Sequence, residues 1–322
     1  MSLSLFLQLV IVGLVSGSIY GLIALGYTMV YGIIELINFA HGDIFMMGTM
    51  ITIVLFRLLG VNDTHPPTGL ALVGILILAF VVSMVACAVI GVVTERIAYR
   101  PLRNAPRLAP LISAIGVSLV LEDVGKLWNG LSPIGFPQIF PSTHLVMGPL
   151  QIDTIDIFII VVAVLLMAGL QWLVMGTRLG RAMRAVAQDR EAAALMGVNV
   201  DRIISVTFFI GAGLAGAAAV IYGLKFGTTV FYLGFTLGLI AFTAAVLGGI
   251  GNLVGAMLGS LIIGLVQAFA VVIPDSFNPA SHGIGLPHGG GAWIEAIIFA
   301  ILILILVFRP SGLLGQNVPD KV

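Results

Sequence analysis

With 322 residues, 60% of them hydrophobic and only 9% charged, the chain lies far from the roughly 25% charged content of soluble domains. It reads as an all-α, polytopic transmembrane helical bundle. Fourteen basic residues balance fourteen acidic ones, so no basic surface is available to neutralise phosphates, and nucleic acid is excluded as a partner. The single cysteine, Cys87, excludes an internal disulfide and a cysteine-built metal site.

The length suits about eight to ten spans of roughly twenty residues each. The opening MSLSLFLQLVIVG has no lysine or arginine ahead of its apolar run, so it reads as the start of a first span rather than a cleaved signal peptide. Leu5 to about Tyr31 is one long apolar segment. Within it, Gly17 and Gly21 stand four apart, a spacing that lets a neighbouring helix approach closely. The stretch Tyr31–Gly48 (YGIIELINFAHGDIFMMG) is different: Glu35, Asn38, His41 and Asp43 fall between apolar runs too close together for a real loop. Ionisable groups at membrane depth are costly and generally face a cavity, a partner or an interface. Two readings are open. Either the helix breaks near Asn38–Gly42 and its freed backbone lines a solute path, or this is a tight polar turn at the cytoplasmic surface. A lone His41 is not a metal site.

Ile44–Leu59 completes a span, Gly60–Gly69 is a turn-forming loop, and Leu70–Val93 spans again. Thr94–Arg107 (TERIAYRPLRNAPR) reads as a loop with Arg96, Arg100, Arg103 and Arg107. Leu108–Leu127 is apolar, with Glu122, Asp123 and Lys126 crowding its end. Asn129–Asp156 is a proline- and glycine-rich loop, and Ile157–Met175 spans. Gly176–Arg202 is the longest strongly charged run, with Arg178, Arg181, Arg184, Arg190, Arg202, Asp189, Glu191 and Asp201. Its Asp189–Val198 portion predicts a short alanine-rich helix stopped by Gly197. The run reads as a docking loop for a cytoplasmic partner, or, more plainly, as an ordinary cytoplasmic loop.

Ile203–Leu224 spans and Lys225–Gly234 is a short loop. Thr236–Phe269 holds two apolar runs split by Leu247–Asn252 (LGGIGN). Val272–Gly290 reads as an external loop, with His282 and His288 in it. Ala292–Phe308 is the last span, stopped by Arg309-Pro310. The two arginine-rich loops hold nine of the fourteen basic residues, so both are assigned to the cytoplasm. The N-terminus then lies outside, the C-terminus inside beside Arg309 and Lys321, and nine spans result. The interruptions at Asn38 and Asn252, one in each half, suggest paired breaks of the kind that mark a transport path.

Enzyme chemistry finds no support. There is no HExxH helix, no GxSxG elbow and no Walker A motif; the Gly125-Lys126 pair is followed by Leu127. If ATP drives transport, its hydrolysis belongs to another chain. Ion coupling by a secondary transporter would need buried acids, for which only Glu35, Asp43 and Glu295 are candidates.

Glu191-Ala192-Ala193 followed by Gly197 matches EAAxxxG, which resembles the coupling-helix signature of ABC importer permeases. The resemblance extends through GSIYGLIALGYTMVYGIIELINFAHGD (Gly17–Asp43), ERIAYRPLR (Glu95–Arg103), LISAIGVSL (Leu111–Leu119) and GRAMRAVAQDREAAALMGVN (Gly180–Asn199). It continues in AFTAAVLGGIGNLVGAMLGS (Ala241–Ser260) and RPSGLLG (Arg309–Gly315). These blocks are similar to the LivH-type permease subunit of branched-chain amino-acid ABC importers. The resemblance implies the ABC importer permease fold, as a single domain over 1–322 with a cytoplasmic coupling loop at 176–202. It implies a bacterial inner-membrane protein that is not itself an enzyme. Its partners would be a second, LivM-like permease, two cytoplasmic ATPases carrying ATP and magnesium, and an extracytoplasmic solute-binding protein, all within membrane lipid; the chain itself carries no cofactor. The cargo would be leucine, isoleucine and valine, with the urea and short-chain amide branch of the family as the nearest alternative and an ion-coupled secondary transporter further off. Coupling would rest on Arg181, Arg184, Asp189, Glu191, Ala192, Ala193 and Gly197. Candidates for the translocation path are Glu35, Asn38, His41, Asp43, Gly248, Gly249 and Asn252.

Overall fold

The computed structural model describes residues 2–62, 66–103, 105–106, 108–140, 144–147, 150–276 and 285–315. Arg107, His282 and Lys321 lie outside the described residues. Hydrocarbon offers backbone groups no water, so apolar runs of this length fold as helices that satisfy their own hydrogen bonds. Helix α1 (Leu3–Ile34) is followed by α2 (His41–Leu58), α3 (Gly69–Thr94), α4 (Leu108–Asn129) and α5 (Thr154–Gly176). The charged run forms α6 (Arg178–Gln188) and α7 (Arg190–Leu195). Then come α8 (Val200–Phe226), α9 (Leu233–Gly248), α10 (Leu253–Ala270) and α11 (Ile294–Phe308). Short strands pair on the loops, β1 (Ile134–Gly135) with β4 (Thr228–Thr229) and β2 (His144–Met147) with β3 (Leu150–Asp153).

Among the described residues, eight helices are long and apolar enough to cross a membrane. The exception within the nine-span expectation is α9, whose 16 residues reach about 24 Å at 1.5 Å each, short of the roughly 30 Å of hydrocarbon. A second difference concerns Thr94–Arg107. The helix does not stop at Val93: it continues through a π-helical turn, Glu95–Tyr99, and a 3-10 turn, Arg100–Leu102. Pro101, which cannot donate a backbone hydrogen bond, stands where the regular helix ends.

Burial separates centre from rim. The most apolar windows of α1, α2 and α8 are 72–78% buried, whereas those of α3, α4 and α5 reach 28% at most, so the former make the core and the latter turn apolar side chains to lipid. Close helix approach supplies the packing that water supplies in soluble proteins. Helix α1 lies antiparallel on α10 with Gly13 and Gly17 at the contact; a Cβ at either would come within 2.8 Å of the Leu265 or Leu261 backbone. Helix α8 lies antiparallel on α3, where Ser83 Oγ donates to Gly216 O at 2.9 Å.

These two pairs are counterparts. The order long helix, short helix, partner helix occurs as α1–α2–α3 and again, in the opposite membrane sense, as α8–α9–α10. Each long helix packs most extensively on the third helix of the other set, and α2 packs on α9 between them. The break before α2 therefore corresponds to Gly227–Tyr232 before α9, and not to the Asn252 break with which the sequence pairs it.

Backbone-level contact between α1 and α10 makes a sharp test. Gly264→Leu, which drives a side chain into the backbone of Gly13 and Gly17, should destabilise the protein by about 1–3 kcal/mol. Gly116→Leu, on α4 with nothing within 4 Å of its Cβ position, should leave it unchanged. Thermal stability of detergent-purified protein, followed by size-exclusion profile, checks both.

Candidate functional site

The polar stretch after α1 folds back into the bundle. Glu35 ends α1 in the left-handed region at φ 54°, its N–H bonded to Tyr31 O. The chain then returns along α1, so that the His41 imidazole meets the Tyr27 ring at a centroid distance of 4.8 Å and fills the space a side chain at Gly26 would need. Gly26 lies eight residues, about 12 Å, above the end of α1. Asp43 accepts a hydrogen bond from Ser118, half-way along α4. Helix α2 therefore starts at membrane depth, and the surface-turn reading of Tyr31–Gly48 does not describe it.

Three of the four sequence candidates meet there. Asn38, His41 and Asp43 are at most 2% exposed, and Tyr99 OH donates to Asn38 Oδ1 at 3.0 Å. The carboxylate of Asp43 belongs to the first turn of α2 and lies against the backbone of Gly234 in the first turn of α9. Two helix N-termini, each the positive end of its dipole, thus converge on one buried acid. Asn38 Nδ2, His41 Nε2 and Asp43 Oδ1 have no hydrogen-bond partner among the described residues. Buried polar atoms of this kind are rare in folded proteins, and at membrane depth they make this cluster the candidate site. Glu35 stands apart from the cluster, exposed at the lower end of α1.

Gly248, Gly249 and Asn252 form a different structure at the junction of α9 and α10. Asn252 caps α10, its Oδ1 accepting from Gly255 N at 3.0 Å, and its Nδ2 donates to Leu314 O at 2.8 Å. The backbone N–H groups of Leu313 and Leu314 donate to Leu247 O and Gly248 O, which satisfies carbonyls that the end of α9 would otherwise leave open. The Arg309–Gly315 block is the clasp of this break. The junction does not join the cluster around Asp43.

The charged run makes a compact outer structure. Thr177 caps α6, its Oγ1 accepting from Gly180 N at 3.1 Å, and Arg184 donates to Val174 O at 2.5 Å. Asp189 caps α7, accepting from Ala192 N at 3.0 Å, and Gly197 at φ 83° ends it. Ala193 is buried, Glu191, Ala192 and Arg181 are exposed, and Arg190 donates to Ile33 O at 2.9 Å. At the tip, Leu195 and Met196 are 88% and 84% exposed. Apolar side chains bared this fully beyond the bundle's lipid-facing surface fit a protein interface.

The two arginine-rich segments are tied to each other. Arg103 pairs with both Glu95 and Asp201, and Arg100 with Asp201 at 2.5 Å. Glu95 is fully buried and also accepts from Ser205 Oγ at 2.7 Å. This clamp joins the extension of α3 to the first turn of α8, immediately after the α7 segment.

Comparison with known proteins decides the family. Residues 9–307 match the model of the branched-chain amino acid transport system permease component. The chain is 42% identical to the high-affinity branched-chain amino acid transport system permease protein BraD of Pseudomonas aeruginosa, over 98% of each chain. It is 39% identical to LivH of Escherichia coli K12, again over 98% of each. A probable LivH of Methanocaldococcus jannaschii is 27% identical over 92% of this chain and 88% of its own. The chain belongs to the branched-chain amino acid transport system permease family. It is a multi-pass membrane permease.

In this permease the sequence reading missed Tyr27, Tyr99 and Ser118 as members of the central cluster, because single tyrosines and serines inside spans carry no local signal. The partners of Glu95 were equally invisible, although an acid next to four arginines hints at pairing. His288 uses its backbone N–H to bind Asp275 Oδ1 at 2.9 Å, and the described residues hold no cluster of three or more metal-ligating side chains.

Removing one partner of a buried charge leaves the other uncompensated, at about 3–5 kcal/mol. Arg103→Ala should therefore lower the unfolding temperature far more than Arg100→Ala, whose pair is half exposed and worth about 1 kcal/mol or less. Paired thermal melts of the two variants check the order.

Proposed function

We propose that this chain is the transmembrane permease subunit of an ATP-driven importer for leucine, isoleucine and valine in the bacterial inner membrane. The whole chain acts as a single permease domain, with 176–202 as its coupling loop. The observation that carries the coupling half of this reading is the capped α7 helix with Leu195 and Met196 bared at its tip. An exposed apolar tip flanked by charges fits a cleft on a cytoplasmic ATPase. Arg181, Arg184 and Glu191 set the surroundings of that tip, while Asp189, Ala192, Ala193 and Gly197 fix its helix. ATP and magnesium bind on two such ATPases, and this chain carries no cofactor of its own. The names of the BraD and LivH relatives support the cargo.

A second, LivM-like permease completes the membrane part, and an extracytoplasmic binding protein delivers the amino acid and selects it. Closure of the ATPases moves α7. The Glu95–Arg103–Asp201 clamp passes that movement to α3 and α8, and Arg190, bonded to Ile33 O, passes it to the end of α1. The buried cluster of Asn38, His41 and Asp43 lines and gates the path at mid-membrane, where the α2 and α9 N-termini meet. Glu35 and the Gly248–Gly249–Asn252 junction stand at its inner end.

Cells with and without the chain, assayed for uptake of labelled leucine and labelled urea, test the cargo. Loss of leucine uptake alone is expected. Loss of urea uptake alone would replace the substrate, and leucine uptake that survives loss of the ATPase but collapses with the ion gradient would make the chain a secondary transporter.

Leu195→Asp should cut copurification of the ATPase and uptake by at least about tenfold, on the scale of an interface hot spot, with permease abundance unchanged. Undiminished copurification would refute the docking tip. Asn38→Leu should reduce uptake without reducing assembly with the ATPases, and normal uptake in that variant would remove Asn38 from the path.

A further inference from the structure

A cavity of about 280 Å³ lies between the end of α1, the residues Tyr99, Arg103, Ala105 and Pro110, α6–α7 and α8. It is separate from the central cluster, and Tyr99, which bonds Asn38, forms part of the wall between the two. Its volume is close to the roughly 300 Å³ at which small-molecule pockets begin, which suits one small solute and excludes a peptide. Ile34, Val186 and Ile204 give it an apolar side. Glu35, Arg103 and Arg190 give it charges of both signs.

Those charges are not all used by the protein. The Glu35 carboxylate makes no ion pair or hydrogen bond among the described residues, and Glu35 is held in the left-handed region at φ 54°. Only one other non-glycine residue is so held among the described residues, and such strain collects at ligand clamps and switches. Arg103 spends its two terminal nitrogens on Glu95 and Asp201, whereas Arg190 commits only one, to Ile33 O, and so keeps guanidinium donors for a ligand. An acid for an ammonium group, guanidinium donors for a carboxylate and an aliphatic wall together describe the α-amino acid zwitterion with a branched apolar side chain.

We infer that this cavity is a cytoplasmic-side site for the imported amino acid, through which accumulated product slows import. The inference rests on the cargo assigned under Proposed function. Its position gives the mechanism. Its lining joins the end of α1 to Asp189 and Arg190, which begin the coupling helix. A bound zwitterion bridges Glu35 at the end of α1 to Arg190 at the start of α7. That bridge holds α7 against α1 and resists the movement the ATPases must produce. A ligand that favours one arrangement over the other shifts the equilibrium by its differential affinity.

The test uses right-side-out membrane vesicles that carry the complete importer, with ATP supplied inside and binding protein outside. They are preloaded with unlabelled leucine, with glutamate or with neither, and the initial rate of labelled leucine uptake is measured. Leucine preloading should slow uptake by about fivefold or more, the lower end of ordinary coupling between sites, and glutamate should not. Ala105→Trp, which fills the cavity from the side of Tyr99 and Arg103, should abolish the inhibition and keep the unloaded rate. Pro110→Phe, filling it from the first turn of α4, serves where the first variant fails to assemble. Uptake unaffected by internal leucine, or inhibited equally in the filled-cavity variant, would overturn the site while leaving the importer reading intact. No leucine uptake even in unloaded vesicles would overturn the cargo assignment, and the ligand of this cavity with it.

Discussion

Everything in this molecule depends on the absence of water between its helices. In hydrocarbon, an interrupted helix must have its freed backbone and polar groups satisfied by other protein. The chain interrupts its helices in the centre and still holds together, because glycine-rich surfaces let neighbouring backbones close over each break. Gly42 and Gly234 touch where α2 and α9 begin, and Leu313 and Leu314 clasp the end of α9. Packing that elsewhere serves only stability here makes it possible to place helix ends, with their dipoles and unpaired groups, inside a membrane.

The same constraint links the two ends of the proposed mechanism. The central cluster is too polar to be inert at that depth, and it is bonded through Tyr99 to the segment that carries Arg100 and Arg103. Those arginines hold Asp201, which follows the coupling helix by a few residues. A displacement of α7 therefore meets an ion-paired clamp and an α1 contact before it meets lipid. Coupling between distant sites is carried by packed side chains, ion-pair networks and rigid helices of this kind.

The outer face follows a different logic. There the described part of Asn129–Asp156, which reads in the sequence as an irregular loop, folds onto the bundle. Phe136 is buried against Phe56 and the backbone of Gly223, β1 pairs with β4, and Lys225 ties α8 to Asp153 and Asp156. The described part of this segment is therefore folded and not irregular.

Much of this was legible in the chain itself. Hydropathy alone determined the class and nearly every helix, because a span is a local property of about twenty residues. The short α7 helix and its Gly197 stop were legible for the same reason: a helix end is decided within a few residues. What tertiary structure decided is which distant residues share a place. Nothing local in Tyr31–Gly48 distinguishes a surface turn from a break at depth; the fold-back of His41 onto Gly26 and Tyr27 does. Nothing in the spacing of Asn38 and Asn252 reveals that the first enters a buried cluster while the second clasps a helix end, or that α2 has its counterpart in α9. Those are outcomes of packing between segments 61 or more residues apart in sequence, and a local pattern carries no information about its partner across the bundle.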